Sequence, residues 1–305
     1  MTEETTNVLT ELSTRLAGAV ERAAQSVVRV EARQRMPASG ILWSGDGIVV
    51  TAEHAVERDE NITVGLPDGK EVQASLVGRD PDHDIAVLRL PAGSAVTAAS
   101  FPQSNVKIGH LALAVARPGG DGVQASWGLV SAVGGPVRTR RGGQLGGYIR
   151  TGIAMYPGFS GGALVDSQGQ IAGLLSSQLG GDAGMAVPSE VVSGVVQTLV
   201  QHGRVRRAFL GFRSQPAPLV AALQEKLSRK QESGLLVVSV EAGSPAEQAG
   251  VLIGDVVVSF AGQPVQAPDD LQALLVTTAI GSPVNLGLIR GGAPTELTIT
   301  PGERQ

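Results

Sequence analysis

Between Val27 and about residue 188 the sequence never sustains a helical stripe. Short apolar runs recur instead: Ser26-Val-Val-Arg-Val30, Gly47-Ile-Val-Val-Thr51, Asp84-Ile-Ala-Val-Leu88, His110-Leu-Ala-Leu-Ala114 and Gln170-Ile-Ala-Gly-Leu174. Turn formers such as Pro67-Asp-Gly69 and Ser167-Gln-Gly169 stand between them. Many short strands without long intervening helices read as an all-β barrel or sandwich. Such a fold needs tight turns, and 41 of the 305 residues are glycine, against a usual ~7%.

The flanks differ. Leu9, Leu12, Leu16, Val20 and Ala23 recur every three or four positions and predict a helix over residues 5–25. Its stripe packs either on its own domain or on another subunit. A second helix is expected at 189–202, with Ser189 as cap, Val192, Val195, Val196 and Leu199 as stripe and Gly203 as stop. After Arg207 strands and helices mix. Ser244-Pro-Ala-Glu247 reads as a capping box with proline at the first helical position, Gly250 as the stop, and residues 268–279 as a further helix. The expected organisation is a helical segment over 1–25, a β domain over 26–207 and an α+β domain over 208–305.

Composition removes whole classes of chemistry. There is no cysteine, hence no disulfide, thiolate metal site, iron–sulfur cluster or cysteine nucleophile. The net charge of -4 provides no field for nucleic acid. One basic run, Arg138-Thr-Arg-Arg141, reads as a solvated loop tip. No apolar stretch reaches the ~18–20 residues of a membrane span. Met1-Thr-Glu-Glu-Thr5 lacks the basic start and apolar core of an export signal, so a cytoplasmic protein is expected. A leader already removed would leave the same start, with an envelope or periplasmic location.

Four histidines remain as candidates for imidazole chemistry: His54, His83, His110 and His202. Pro157-Gly-Phe-Ser-Gly-Gly162 embeds a serine in glycines, so its hydroxyl can sit on a sharp turn while backbone N–H groups converge beside it. Gly158-x-Ser160-x-Gly162 also fits a nucleophile elbow, but that motif needs a following helix and a late histidine. Here Ala163–Ala172 reads as strand, turn, strand. The order His, Asp, Ser fits better. His54 ends the apolar run beginning at Val49, Asp84 opens the run Ile85–Leu88, and Ser160 follows. On this reading His54 is the general base, Asp84 orients it, Ser160 is the nucleophile, and the N–H groups of Gly158 and Ser160 bind the oxyanion. Asp82 is the decoy for Asp84. His83 reads as a surface residue in a charged turn, His110 as an interior or edge residue of its strand, and His202 as a cation near a helix C-terminus. Gly65-Leu-Pro-Asp-Gly69-Lys70 departs from a phosphate loop in spacing and in Glu71, and reads as a hairpin turn. No histidine–carboxylate cluster suggests a metal.

These motifs, in this order, closely resemble the HtrA/DegP family over about residues 26–300. Asp46–His54 resembles its histidine segment, Val77–Arg89 its aspartate segment, Pro157–Gly162 its serine loop, and Met185-Ala-Val-Pro188 the strand before its closing helix. The resemblance implies a mainly β chain: a chymotrypsin-like double β-barrel protease domain, then an α+β PDZ domain. It implies an ATP-independent serine endopeptidase acting on unfolded or damaged proteins, without metal or organic cofactor, as a homotrimer; the alternative is an inactive protease-fold scaffold. Phe209-Leu-Gly-Phe212 matches the PDZ loop that holds a peptide C-terminus, beside the helix near 268–279. Glu53, Gly152, Phe159 and Ala163 stand where the family often has other residues. Ile153, Ala154, Leu174 and Leu175 suggest an apolar pocket for valine or leucine before the scissile bond.

Overall fold

The computed structural model describes residues 7–303 apart from 35, 95–96, 100, 102–105, 139–143, 181–183, 204–207 and 228. Most of the basic run at 138–141 therefore lies outside the described residues. Two units separate, Met1–Val205 and Arg206–Gln305.

The first unit opens with helix α1 (Val8–Ala24). Strands β1 (Val27–Glu31), β2 (Ala38–Leu42), β3 (Ile48–Ala52), β4 (Ile62–Gly65), β5 (Glu71–Asp80) and β6 (Ile85–Arg89) follow. They close a barrel in the order β1-β2-β3-β6-β5-β4. Next come β7 (Leu111–Gly119), β8 (Gly122–Gly134), the short pair β9 (Val137–Arg138) and β10 (Gln144–Leu145), β11 (Tyr148–Thr151), β12 (Ala163–Asp166), β13 (Ile171–Ser176), helix α2 (Ser177–Gly180) and β14 (Gly184–Pro188). The long strands among these close a second barrel, β11-β14-β13-β12-β7-β8. Helix α3 (Ser189–His202) ends the unit.

Strand alternation explains why the apolar runs are continuous. Val49 and Leu88 face the interior of the first barrel with Val28, Val30 and Val64. Their neighbours Ile48, Val50 and Val87 face outward, into a core shared with Leu113, Val115 and Val165 of the second barrel, Ala19 and Ala23 of α1, and Leu199 of α3. A strand buried on both faces has no polar side, so the period of two disappears from its sequence. Leu16 and Val20 also pack on the shared core, so the stripe of α1 is largely used within its own unit, while Val8 and Leu9 remain exposed. Helix α3 occupies the expected span and stops at left-handed Gly203, but Ser189 is its first helical residue, and no side chain caps it.

The second unit holds β15 (Ala208–Phe209), β16 (Phe212–Pro218), α4 (Ala221–Lys226), β17 (Ser233–Val240), α5 (Pro245–Gln248), β18 (Val256–Phe260), β19 (Gln263–Pro264), α6 (Pro268–Thr277), β20 (Val284–Arg290), β21 (Ala293–Ile299) and β22 (Gly302–Glu303). The sheet runs β16-β17-β18-β20-β21, with β19 on β18, and β15 pairs with β22. Leu235, Val257, Phe260 and Leu286 form the core with Leu271 of α6. Double barrel followed by an α+β unit is the expected fold class. The box at α5 is half formed. Ser244 Oγ accepts the Glu247 N–H at 3.2 Å, but the Glu247 carboxylate takes the N–H of Gly243 rather than that of Ser244.

Asp255 immediately precedes β18, is 2% exposed, and accepts two bonds from Arg290 at 2.8 and 2.7 Å and one from Leu252 N–H at 2.8 Å. Burial opposes its ionisation, but the Arg290 bonds, the Leu252 N–H and the Arg290 charge outweigh it and hold the carboxyl below its ordinary value. A depressed carboxylate stabilises above its unfolded pKa of ~3.9, and that stability is lost as pH falls through the folded value. Arg290→Leu is expected to destabilise the second unit by about 2 kcal/mol at neutral pH, discounted for the partial exposure of Arg290. Hydrogen exchange in β18 and β20 checks this, and the difference from wild type should shrink below pH ~4.

Candidate active site

The antiparallel register of β3 and β6 brings His54 to Asp84. Ala52 lies opposite Ile85, so the next pair along the ladder is Glu53 and Asp84. Glu53 N–H duly donates to Asp84 C=O at 3.1 Å. A single turn of 3₁₀-helix, Glu53–Ala55, carries His54 off the end of β3. Asp84 has φ of 54°, a left-handed conformation that Asp tolerates better than most residues. The residue is 1% exposed. Oδ1 accepts the His54 N–H at 3.0 Å, and His54 Nδ1 stands 2.9 and 2.8 Å from the two oxygens. Ser176 Oγ, at the end of β13, donates to Oδ2 at 2.6 Å. An ionised carboxylate only accepts, so the ring proton sits on Nδ1 and leaves Nε2 as a base.

The serine loop is built from the opposite side. Tyr156-Pro-Gly-Phe159 is closed by Phe159 N–H on Tyr156 C=O at 3.1 Å, and Gly158 has φ of 83°. Proline second and glycine third are the residues a type II turn requires. Gly161 N–H donates to Leu175 C=O at 2.8 Å. Among the described residues, the N–H groups of Gly158 and Ser160 donate to nothing in the chain. A Cβ at Gly161 would stand 2.1 Å from Ser39 C=O and 3.0 Å from Ala52 N, so only glycine lets the loop sit against the end of β3, two residues from His54. After Gly162 the chain enters strand β12, so the elbow reading fails in the structure as it does in the sequence.

Ser39 in β2 ties this loop down. Its N–H donates to Ser160 C=O at 3.1 Å and its hydroxyl to Gly158 C=O at 2.8 Å. The same hydroxyl accepts Arg117 N–H from β7 at 2.9 Å, and Thr51 Oγ1 donates to Ser39 C=O at 2.7 Å. Sequence reasoning missed Ser39 and Ser176, since a lone serine in an apolar strand carries no spacing signal. Ser160 is 6% exposed. Its Oγ lies 2.8 Å from Ser177 Oγ and accepts the Ser177 N–H at 3.3 Å.

The remaining histidines stand elsewhere. His83 is not the surface residue expected from its charged turn. Its ring is 18% exposed, Nδ1 is 2.6 Å from the fully buried Asp80, and Nε2 accepts Gly146 N–H at 3.3 Å. His110 precedes β7 and is exposed, so it faces no interior; its Nδ1 accepts Lys107 N–H at 3.3 Å. His202 is exposed in the last turn of α3. Asp82 lies in the turn before β6, with its N–H on Asp80 Oδ1 at 3.1 Å, whereas the carboxylate at His54 Nδ1 is that of Asp84. Of the expected pocket residues, only Ala154 is exposed. Ile153 and Leu175 are buried with Phe159 inside the second barrel, and Leu174 lies in the shared core.

In the second unit, Leu210 and Gly211 join β15 to β16. Their C=O groups accept Ala246 and Glu241 N–H at 2.7 and 2.8 Å, while among the described residues their own N–H groups donate to nothing in the chain. Gly211 has φ of 87°, and a Cβ there would meet Ser244 Cβ at 2.1 Å. Strand β16 is a sheet edge, and α6 lies against it.

Residues 38–174 match the family model of the trypsin-like peptidase domain, and residues 221–300 that of the PDZ domain. The chain is 34% identical over 276 residues to a probable periplasmic serine endoprotease, DegP-like, of Rhizobium meliloti, covering 88% of this chain and 54% of that one. It is 32% identical over 266 residues to the periplasmic pH-dependent serine endoprotease DegQ of Escherichia coli, covering 85% and 58%. It thus spans slightly more than half the length of these relatives. Among solved structures, the HtrA-type protease AlgW with a tripeptide is 30% identical, with a TM-score of 0.73 and coverage of 95% of this chain and 97% of that one. The chain belongs to the HtrA/DegP family. The names of its HtrA/DegP relatives overturn the expectation of a cytoplasmic protein, because they point to the periplasm. A short N-terminal sequence without export features was the wrong evidence for compartment.

The departures from the HtrA/DegP pattern are accommodated locally. Glu53 faces Arg79 at 3.6 Å. Phe159 is fully buried, edge-on to Tyr156 with centroids 5.3 Å apart, and anchors the serine loop in the second barrel. Ala163 begins β12 in the shared core, and exposed Gly152 donates its N–H to Leu129 C=O at 3.0 Å. Because Ser39 is wholly buried, Ser39→Ala strands Gly158 C=O and Arg117 N–H. It is expected to cost about 1–3 kcal/mol in chemical denaturation followed by tryptophan fluorescence.

Proposed function

We propose that this chain is a periplasmic, ATP-independent serine endopeptidase that cleaves unfolded or damaged proteins, with a PDZ domain that binds peptide C-termini. In this reading His54, Asp84 and Ser160 are the catalytic triad. The observation that carries it is the buried Asp84 bonded to His54 Nδ1, next to a serine loop with two undonated N–H groups. Ser160 Oγ attacks the scissile carbonyl carbon while His54 Nε2 takes its proton. The carbonyl electron pair moves onto oxygen, where the N–H groups of Gly158 and Ser160 receive it. Asp84 stays ionised and stabilises the imidazolium. His54 then gives the proton to the leaving amine, and the carbon–nitrogen bond breaks. Water repeats the sequence on the acyl-enzyme, with His54 again as base.

Ala154, exposed next to Ile153, meets the substrate side chain before the scissile bond, and buried Ile153 and Leu175 back that surface, while Leu174 faces the shared core. A small apolar residue such as valine or leucine fits it. The resemblance to HtrA/DegP proteins supports a homotrimer, and the exposed Val8 and Leu9 of α1 supply apolar surface for it. In the PDZ domain the free N–H groups of Leu210 and Gly211 receive a terminal carboxylate, flanked by Phe209 and Phe212, and the peptide extends the sheet along β16.

Wild type should cleave casein, and Ser160→Ala should lower kcat by about 10⁴–10⁶. Equal residual degradation by both would refute the assignment. Titration of a labelled peptide against the full chain tests the second site. Amidating the peptide C-terminus should weaken binding at least about tenfold, the cost of losing charge-assisted bonds.

A further inference from the structure

Among the described residues Ser160 Oγ makes two hydrogen bonds, and both go to Ser177. Among the described residues none joins it to His54 Nε2, the atom that must take its proton. The Ser177 N–H is a donor and occupies one lone pair of the nucleophile. Either hydroxyl can donate across the 2.8 Å contact between Ser160 Oγ and Ser177 Oγ; where Ser160 donates, a hydroxyl and not the imidazole receives its proton. A neutral hydroxyl is far too weak a base to remove that proton, so this arrangement stores the nucleophile without activating it.

The serine that ends β13 and the one that opens α2 divide their work. Ser176 is fully buried, donates to Asp84 at 2.6 Å and accepts Gln178 and Leu179 N–H at 3.2 Å. Ser177 is exposed, and among the described residues its hydroxyl hydrogen-bonds only with Ser160. No second hydrogen bond among the described residues accounts for that hydroxyl. Ser160 Oγ turns about a single Cα–Cβ bond with three staggered wells, so its partner can be exchanged without a change of backbone.

Resting on the triad reading above, we propose that the Ser177 hydroxyl is a latch: it competes with His54 for Ser160 Oγ and holds the nucleophile in a resting position. Ser177 is a positioning residue, acting on the reaction only through Ser160. Ser177→Ala removes the hydroxyl and keeps the N–H, so the 3.3 Å contact survives while the competition ends.

The test is initial rates of fluorescein-casein cleavage by the full chain over a range of casein concentrations. A net hydrogen bond of ordinary strength predicts that Ser177→Ala raises kcat about two- to tenfold with KM unchanged. Ser177→Thr, which restores a hydroxyl, should bring kcat back toward wild type. Unchanged or lower kcat in Ser177→Ala overturns the latch. So does a change confined to KM, which would make Ser177 a substrate contact, or an equal rise in Ser177→Thr, which would show that the hydroxyl is not the agent. If wild type and Ser177→Ala both match Ser160→Ala, the triad reading itself fails, and the latch falls with it.

Discussion

Ser39 is held from four directions, and the site depends on that. Its two backbone groups and its hydroxyl bind Ser160, Gly158, Thr51 and Arg117. Those partners belong to the serine loop, to β3 and to β7, so one buried residue fixes the loop against both barrels. A loop on the protein surface would otherwise be free to drift by more than the distance of a hydrogen bond, and proton transfer tolerates no such drift. Gly161 sets the spacing from the other side. With any side chain there, the loop could not close on Ser39 and the end of β3.

The barrels meet this requirement through their shared core. Strands β3 and β6 are buried on both faces, one lining the first barrel and the other the joint with the second. Their ladder delivers His54 and Asp84 as adjacent ends of one hairpin-like pair, and β13 brings Ser176 to the carboxylate from the second barrel. Asp84 thus accepts bonds from both barrels while being nearly sealed from water. Such a carboxylate is costly to bury alone and is retained because every donor around it is placed.

The pattern of short apolar runs made the barrels legible, because strands buried on both faces leave continuous hydrophobic stretches between turns. The order of His54, Asp84 and Ser160 was legible too: His54 and Asp84 sit at the end and beginning of such runs, and Ser160 is marked by the glycines around it. Ser39, Ser176 and Ser177 were not, since their importance comes from contacts across 78 and 119 residues of chain for Ser39, 92 for Ser176 and 17 for Ser177. His83 was misread because Asp80-Pro-Asp-His83 has the composition of a solvated turn. The turn folds inward instead, burying Asp80 beneath the imidazole. Ile153, Leu174 and Leu175 were chosen for being apolar near the loop, yet sequence gives no sign of which side of a strand that is buried on both faces meets a substrate.

The central claim is that this scaffold makes Ser160, among all serines of the chain, a nucleophile served by His54. Treatment of the full chain with a fluorophosphonate, followed by peptide mass mapping, tests it most directly. The account predicts a single adduct on Ser160 that is lost in His54→Ala. An adduct on a different serine, or equal labelling of wild type and His54→Ala, would contradict it.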